Sequence, residues 1–468
     1  MVMLKKSTKV KNNISKSLPK PPSILQTIGP SFILLGLALG SGELIMWPYL
    51  SAQYGLGLLW GGLLGITFQF ILNTETMRYA LAWGESIFVG FRKLSRWIPA
   101  WFILSTFIPW SLPGFSSATA QILKSFFPLL SEKWTAIFLL IFVGIILSAG
   151  KTLYATIERV QKMVIFISLP FVFTLTFMFS SANEWQELVL GLVGRGDGWW
   201  FFPSGLSLIA FLGAFAYSGA GGNLNLAQSY YVKEKGLGMG KFSTGIKSLF
   251  SKGSVKSSLS GQIFEDNPRN KKLWKQWWNL VNTEHFLVFW LLGFITIAVM
   301  AVLSKSLVFG ADVGEGLSFL YAQAAAISQR SFVALGTSFL AIAALMLFST
   351  HLGILESSSR IISENVFLLF SSTKRKYSAN LSLGFYVALW LQIILGVVIY
   401  LVGWQEPRFL LTLSAALNAG AMMVAFPLVY LVNKKHLPKS YQPALWRKVF
   451  LLLATAFFAG FLVITLVS

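Results

Sequence analysis

Gly29-Pro30-Ser31-Phe32-Ile33-Leu34-Leu35-Gly36-Leu37-Ala38-Leu39-Gly40-Ser41-Gly42-Glu43-Leu44-Ile45-Met46-Trp47 is apolar enough to enter a bilayer, yet two glycines and an acid interrupt its middle. A later apolar stretch carries a matching interruption, Gly219-Ala220-Gly221-Gly222-Asn223, followed by Leu224-Asn225-Leu226. Each glycine costs a helix about 1 kcal/mol relative to alanine, so both stretches read as helices that are weak at the centre. Main-chain groups released there are costly in lipid and are expected only where they line a cavity or hold a solute. Interruptions at corresponding positions of two halves are the mark of inverted repeats meeting near the bilayer midplane. The competing reading is close helix packing through small residues.

Working outward, the chain is 55% hydrophobic and 12% charged over 468 residues, too apolar for a soluble domain to cover with water-facing surface. Segments of about 20 apolar residues recur to the C-terminus. They predict eleven helices, near 28–53, 57–79, 98–124, 134–152, 160–182, 203–231, 282–304, 331–357, 381–403, 408–432 and 448–467. With the N-terminus inside, only Lys124, Lys133, Arg195, Lys305, Arg330 and Arg408 of the 38 basic residues fall outside. This asymmetry follows the positive-inside rule and accounts for the net charge of +21 without nucleic acid. It also places the C-terminus outside.

Residues 1–27 read as a disordered basic cytoplasmic tail, free of the folded part, since a signal peptide would need a cleavage site after its apolar segment. Residues 233–280 form a basic loop whose Ser243 to Gly261 stretch is low in complexity, closed by Trp274, Trp277 and Trp278 as an expected interfacial anchor. The two repeats are then 28–182 and 203–432, with an added helix at 448–467. Cysteine is absent, which removes thiol nucleophiles and cysteine-ligated metal centres. His285, His351 and His436 lie far apart without metal-site spacing.

Glu43 is the sharpest single residue. An ionisable group at the centre of a spanning helix costs about 2.5 to 3.5 kcal/mol on insertion scales. At the start of a resumed half-helix its carboxylate would face that helix's positive end, and beside free carbonyls it makes an oxygen site for a hard cation. The alternative is a glutamate satisfied by neighbouring helices.

The run from Gly29-Pro30-Ser31-Phe32 through Glu43, with Tyr54-Gly55 and Leu59-Trp60, resembles the start of the NRAMP-type metal-ion transporters. Asn223-Leu224-Asn225-Leu226, Ser229-Tyr230-Tyr231 and Lys235-Gly236 resemble the same superfamily's divergent members. The resemblance implies an all-helical integral membrane protein of about eleven spans, a LeuT-like 5+5 inverted repeat with helices one and six broken. It implies a secondary carrier that moves a divalent cation by alternating access. The cation is the substrate, so no cofactor is expected, and the partners are a small ion and the lipid bilayer. The long lysine-rich tail and missing cysteine suggest a bacterial plasma membrane.

The family's Asp-Pro-Gly-Asn is replaced here by Gly40, Ser41, Gly42 and Glu43, and its Met-Pro-His by Ala220, Gly221 and Gly222. Without the soft sulfur ligand, preference should move toward ions satisfied by oxygen, such as Mg²⁺ or Mn²⁺. The candidate site is Gly40, Ser41, Gly42, Glu43, Gly219, Ala220, Gly221, Gly222, Asn223, Asn225 and Asn418, with Asn418 equally readable as an interhelical hydrogen bond. The third span has no acid or histidine between Trp101 and Leu123, where the family often keeps a proton-route carboxylate. Glu75, His351 and Glu356 are the alternatives for a proton pathway, with a headgroup location as the plain reading of the two acids.

Two rivals stand beside this reading. Gly-Ser-Gly also resembles amino-acid carriers that seat a substrate carboxylate on backbone amides. A membrane-embedded enzyme would need clustered acids or a His and carboxylate pair, and His351 with Glu356, about 140 degrees apart on a helix, is the nearest approach.

Overall fold

Proline opens and glycine closes several of the membrane helices. Pro30, Pro268 and Pro407 each occupy a first helical turn, where the missing N–H has no intrahelical partner to lose. Gly84 ends the second helix in the left-handed region, at φ 66, and a side chain there would strike the Met239 carbonyl. The computed structural model describes residues 17–149, 153–243, 257–311, 317–370, 378–379 and 381–467. The stretch 244–256, most of the low-complexity part of the loop, lies outside the described residues, as does the tail before residue 17.

Among the described residues, ten helices are long and apolar enough to cross a membrane. In chain order they are Pro30–Tyr54, Leu56–Trp83, Ile98–Phe126, Glu132–Ala149, Leu153–Phe179, Pro268–Val308, Val333–Phe370, Leu381–Val402, Pro407–His436 and Leu445–Ile464. The expected sixth span appears as two pieces, Leu208–Ala216 and Gln228–Glu234, joined through a 3-10 segment at Gly222–Ala227. We number the spans first to eleventh with this broken pair as the sixth. The only strands described are two residues each, Ser257–Ser258 against Ser378–Ala379, so the chain is in effect all helix.

The first span is the axis of the bundle: 94% of its apolar window is buried, against 22% for the eleventh. The seventh packs along its second half and the eighth and fifth along its first. Outer faces carry exposed apolar side chains such as Phe138, Phe166, Leu391 and Val398, the surface a lipid-facing helix presents.

Two expectations about the ends need correction. The seventh span begins at Pro268 and the eighth ends at Phe370, each over ten residues beyond the sequence reading. At 1.5 Å per residue both exceed the roughly 30 Å apolar core, so their charged ends project past it as continuous helix. Trp274 and Trp277 are buried inside the protein instead of standing as an interfacial belt. They pack with Leu18, Phe264 and Tyr441, and the Trp277 indole donates to the Pro19 carbonyl at 2.7 Å. Residues 17–27, read as free tail, are therefore pinned to this helix, with Leu18 N–H donating to Asn270 at 3.2 Å.

Candidate ion site

The two interruptions take different forms. In the first span, Leu39–Met46 is π-helical and stays continuous, with Trp47 N–H bonding to the Gly42 carbonyl. Unwound backbone was the expectation; a wider turn is what forms, because most main-chain groups keep partners in it. Gly40 N–H donates outward to Thr350 Oγ1 at 3.0 Å, and that hydroxyl donates to the Gly36 carbonyl at 2.8 Å. In the sixth span the helix stops at Ala216, and Gly221 and Gly222 take φ of 76 and 50 where the 3-10 segment begins. That conformation suits glycine and explains the pair.

The interruptions meet. A Cβ on Gly42 would overlap the Tyr217 carbonyl, and one on Gly40 would lie 2.8 Å from Thr350 Oγ1 and 3.2 Å from the Leu347 Cα. The packing reading of these glycines thus holds at both positions. Gln69 in the second span stitches the open segment. Its Nε2 donates to the Ala216 carbonyl at 3.1 Å, while its Oε1 accepts from Gly221 N–H at 3.1 Å and Asn225 Nδ2 at 3.0 Å. Ser218 accepts from the Trp47 indole at 3.1 Å.

Glu43 is fully buried, and neither carboxylate oxygen has a hydrogen-bond partner. It is not at the start of a half-helix; it lies within the π-helical segment and turns toward the seventh span, where a Cβ on Gly293 would sit 3.6 Å from its Oε1. Leu35 and Ile66 close the same spot. A carboxylate without partners in so apolar a place is costly unless a proton or a cation joins it.

The three asparagines lie across the sixth-span break. Asn223 Nδ2 donates to Ser105 at 2.8 Å and Thr106 at 2.9 Å, and Asn418 Nδ2 reaches Tyr217 and Ser414 at 3.4 Å each. Their Oδ1 atoms, and that of Asn225, are buried and unpartnered. A Cβ on Gly222 would overlap the Asn418 amide, so this helix approach depends on glycine. Gly219 faces Gln69 and Phe289, and Ala220 is buried beside it. Ser41 bonds only within its own helix, to the Ala38 carbonyl. Among the described residues no hydrogen bond joins Glu43 to the asparagines, and no group of three His, Cys, Asp or Glu is placed to hold a metal.

No protein-family model matches the chain, and no curated protein sequence matches it. Solved structures do. A mutant of the Eremococcus coleocola manganese transporter aligns over 97% of this chain and 90% of that one, with a TM-score of 0.70 at 15% identity. The same transporter in complex with an aromatic bis-isothiourea substituted compound gives 0.68 at the same coverage. Mhp1, a nucleobase-cation-symport-1 family transporter in a closed conformation with bromovinylhydantoin bound, gives 0.56 at 12% identity over 97% and 95%. The chain has the LeuT-type transporter fold.

In a LeuT-type fold the first and sixth spans are equivalent members of two inverted repeats, and their contact at Gly42 and Tyr217 is where that symmetry brings them. The remaining candidates sit away from it. Glu75 is buried and taken up by Arg78 at 2.7 and 2.9 Å, Arg447 at 3.1 Å and Asn433 at 3.1 Å. Glu356 pairs with Arg360, which also pairs with Glu234, and accepts from Tyr231 at 2.9 Å. Both acids are thus buried in ion-pair networks and not exposed at a headgroup level. His351 is buried with its ring stacked against Phe115 at 6.1 Å. Gln69, Ser218 and Thr350 were missed by the sequence reading; an amide in the middle of an apolar span was the only available signal, and it applied to Gln69 alone.

Proposed function

We propose that this LeuT-fold protein is a secondary transporter that moves a divalent cation of Mn²⁺ or Mg²⁺ type by alternating access. The observation that carries the reading is the Glu43 carboxylate, fully buried with both oxygens unpartnered beside the contact of the two interrupted spans. A hard cation offsets a buried negative charge and accepts oxygen donors. Glu43 supplies the charge, and the unpartnered oxygens of Asn223, Asn225 and Asn418 supply neutral donors as the sixth span closes about Gly221 and Gly222. The likeness in fold to a manganese transporter supports this substrate class.

The amino-acid reading is weakened at its key point. The backbone amide expected to seat a carboxylate, Gly40 N–H, is already held by Thr350, and an unpartnered Glu43 repels an anion. The face carrying the N-terminal segment and the 233–280 loop is cytoplasmic on the charge asymmetry, in a bacterial plasma membrane.

The test is uptake of Mn²⁺, Mg²⁺ and Ca²⁺ into proteoliposomes, with a mixed radiolabelled amino-acid pool alongside, for wild type and Glu43→Gln. Divalent uptake in wild type that is abolished in Glu43→Gln is the expected result. Amino-acid uptake without divalent flux refutes it.

A further inference from the structure

Away from Glu43, the seventh span holds a buried acid of its own, Glu284. We propose that Glu284, Ser31 and His285 form a proton-loading site that couples proton movement to solute transport. The coupling rests on the transporter reading above; the loading site itself does not.

Ser31 Oγ lies 2.5 Å from Glu284 Oε2 and 2.7 Å from His285 Nδ1, bridging the first and seventh spans. The outer atoms of the chain, Glu284 Oε1 and His285 Nε2, are buried and have no partner. The serine hydroxyl has one proton, so the two bonds are linked. If Ser31 donates to an ionised Glu284 it must accept from His285 Nδ1–H. If Glu284 carries the proton and donates, Ser31 must donate to a bare Nδ1. The two arrangements differ by one proton. A proton delivered to His285 Nε2 makes an imidazolium; its Nδ1 proton passes to Ser31 Oγ, and the Ser31 hydroxyl proton passes to Glu284 Oε2. A neutral acid and a neutral imidazole protonated at Nε2 result, so the proton is conserved and no other reactant is needed.

The two ends face different surroundings. Around Glu284, the fifth span and the end of the sixth supply Tyr154, Glu158, Lys162, Glu234 and Lys235. Glu158 is bonded to Lys162 at 2.7 Å and Lys235 at 2.9 Å, and both lysines are partly exposed, so water reaches this rim. At the other end the His285 ring stacks on Phe70 of the second span at 5.5 Å and on Phe289 at 4.7 Å, and one turn back along this helix Asn282 bonds Arg447 of the eleventh span, which in turn bonds Glu75 of the second. Phe289 in turn is what a Cβ on Gly219 would meet, at the sixth-span break.

The local backbone makes the same connection. Phe286–Leu291, directly after His285, is π-helical, and among the described residues the only other π-helical segment is the one that carries Glu43. Such segments concentrate at functional sites because they release main-chain groups from the regular ladder. Gly293, one turn beyond, is the residue that Glu43 faces. A single helix therefore links the proton-loading triad to the buried charge of the transport site.

The test has two arms, on wild type, Ser31→Ala, Glu284→Gln and His285→Gln, each checked for monodispersity in detergent. The first records the infrared carboxyl band while pH is titrated. The expected result is a titrating band that disappears in Glu284→Gln and moves in Ser31→Ala, where the hydroxyl is gone but the acid remains. A band unaffected by either change overturns the site, whatever the protein transports. The second arm measures Mn²⁺ uptake and internal pH in proteoliposomes under an inward proton gradient. Stimulation by the gradient should be lost in the variants, since a positioned proton-transfer group typically contributes about a hundredfold or more. Uptake down a Mn²⁺ gradient should persist. Mn²⁺ flux in wild type without proton entry overturns the coupling and leaves the transport reading standing. Absence of any Mn²⁺ flux counts against that reading instead, and the infrared arm then decides the triad alone.

Discussion

Replacing Gln69 by leucine removes a side chain that satisfies two main-chain groups of the sixth-span break, while keeping size and apolar burial. Three hydrogen bonds are lost: to the Ala216 carbonyl, from Gly221 N–H and from Asn225 Nδ2. Asn225 keeps its bond to the Gly222 carbonyl at 3.2 Å, so two main-chain groups are left buried without partners. Each orphan costs about 1 to 3 kcal/mol, and allowing for relaxation the sum is about 3 kcal/mol. Unfolding entropy near 2 cal/mol/K per residue gives about 1 kcal/mol/K for a chain of this length, so the midpoint should drop by about 3 °C. Thermal denaturation in detergent measures this, with Leu391→Ala on the exposed ninth span as a control that should not move. A Gln69→Leu midpoint equal to that of the control refutes the claim that Gln69 holds the break together.

Gly42→Ala should destabilise by about 1 to 3 kcal/mol, because its Cβ meets the Tyr217 main-chain carbonyl and not a movable side chain, whereas Gly460→Ala, with nothing within 4 Å, should be neutral or stabilising in the same melt. Equal effects at the two glycines would remove the close-packing account of the first interruption. Arg360→Ala should cost about 3 to 5 kcal/mol, since it strips the only cation from Glu356. Arg447→Ala should cost less, about 2 kcal/mol, because Arg78 still neutralises Glu75. Chemical denaturation ranks the two, and the reverse order would show that the networks are not organised around these arginines.

Glycine and an isolated acid were legible in the sequence because each is expensive where it stands. Gly40, Gly42, Gly221, Gly222 and Glu43 all fall within the core in places where only those residue types make sense. Gln69 offered only a weak signal, an amide within an apolar span, and its role was not legible because its partners lie about 150 residues away. The long ends of the seventh and eighth spans were hidden for a related reason. Residues 268–280 are rich in charge and tryptophan and read as loop, while Glu356, Arg360 and Glu364 appear to end the apolar run. Their charges are answered by Glu234 and Ser86 from other parts of the chain, and the helix continues through them.

The form of each interruption was likewise beyond the sequence, and it bears on how the protein moves. Two glycines in three residues weaken a helix by about 2 kcal/mol, which is compatible either with opening or with a wider turn. Neighbours decide between the two. Thr350 and the Tyr217 carbonyl press directly on the first span, so it keeps its axis and only widens. The sixth span has its paired positive φ at Gly221 and Gly222, and its loose groups are gathered by one flexible amide. A hinge needs a segment that is not locked by main-chain packing, and of the two interruptions the sixth-span break, held through side-chain bonds to Gln69, fits that better. On the transport reading proposed above, the moving partner would be the Gln228–Glu234 half, whose far end pairs through Glu234 with Arg360, while Glu43 would stay with the first span and the oxygens of Asn223 and Asn225 would swing with the hinge.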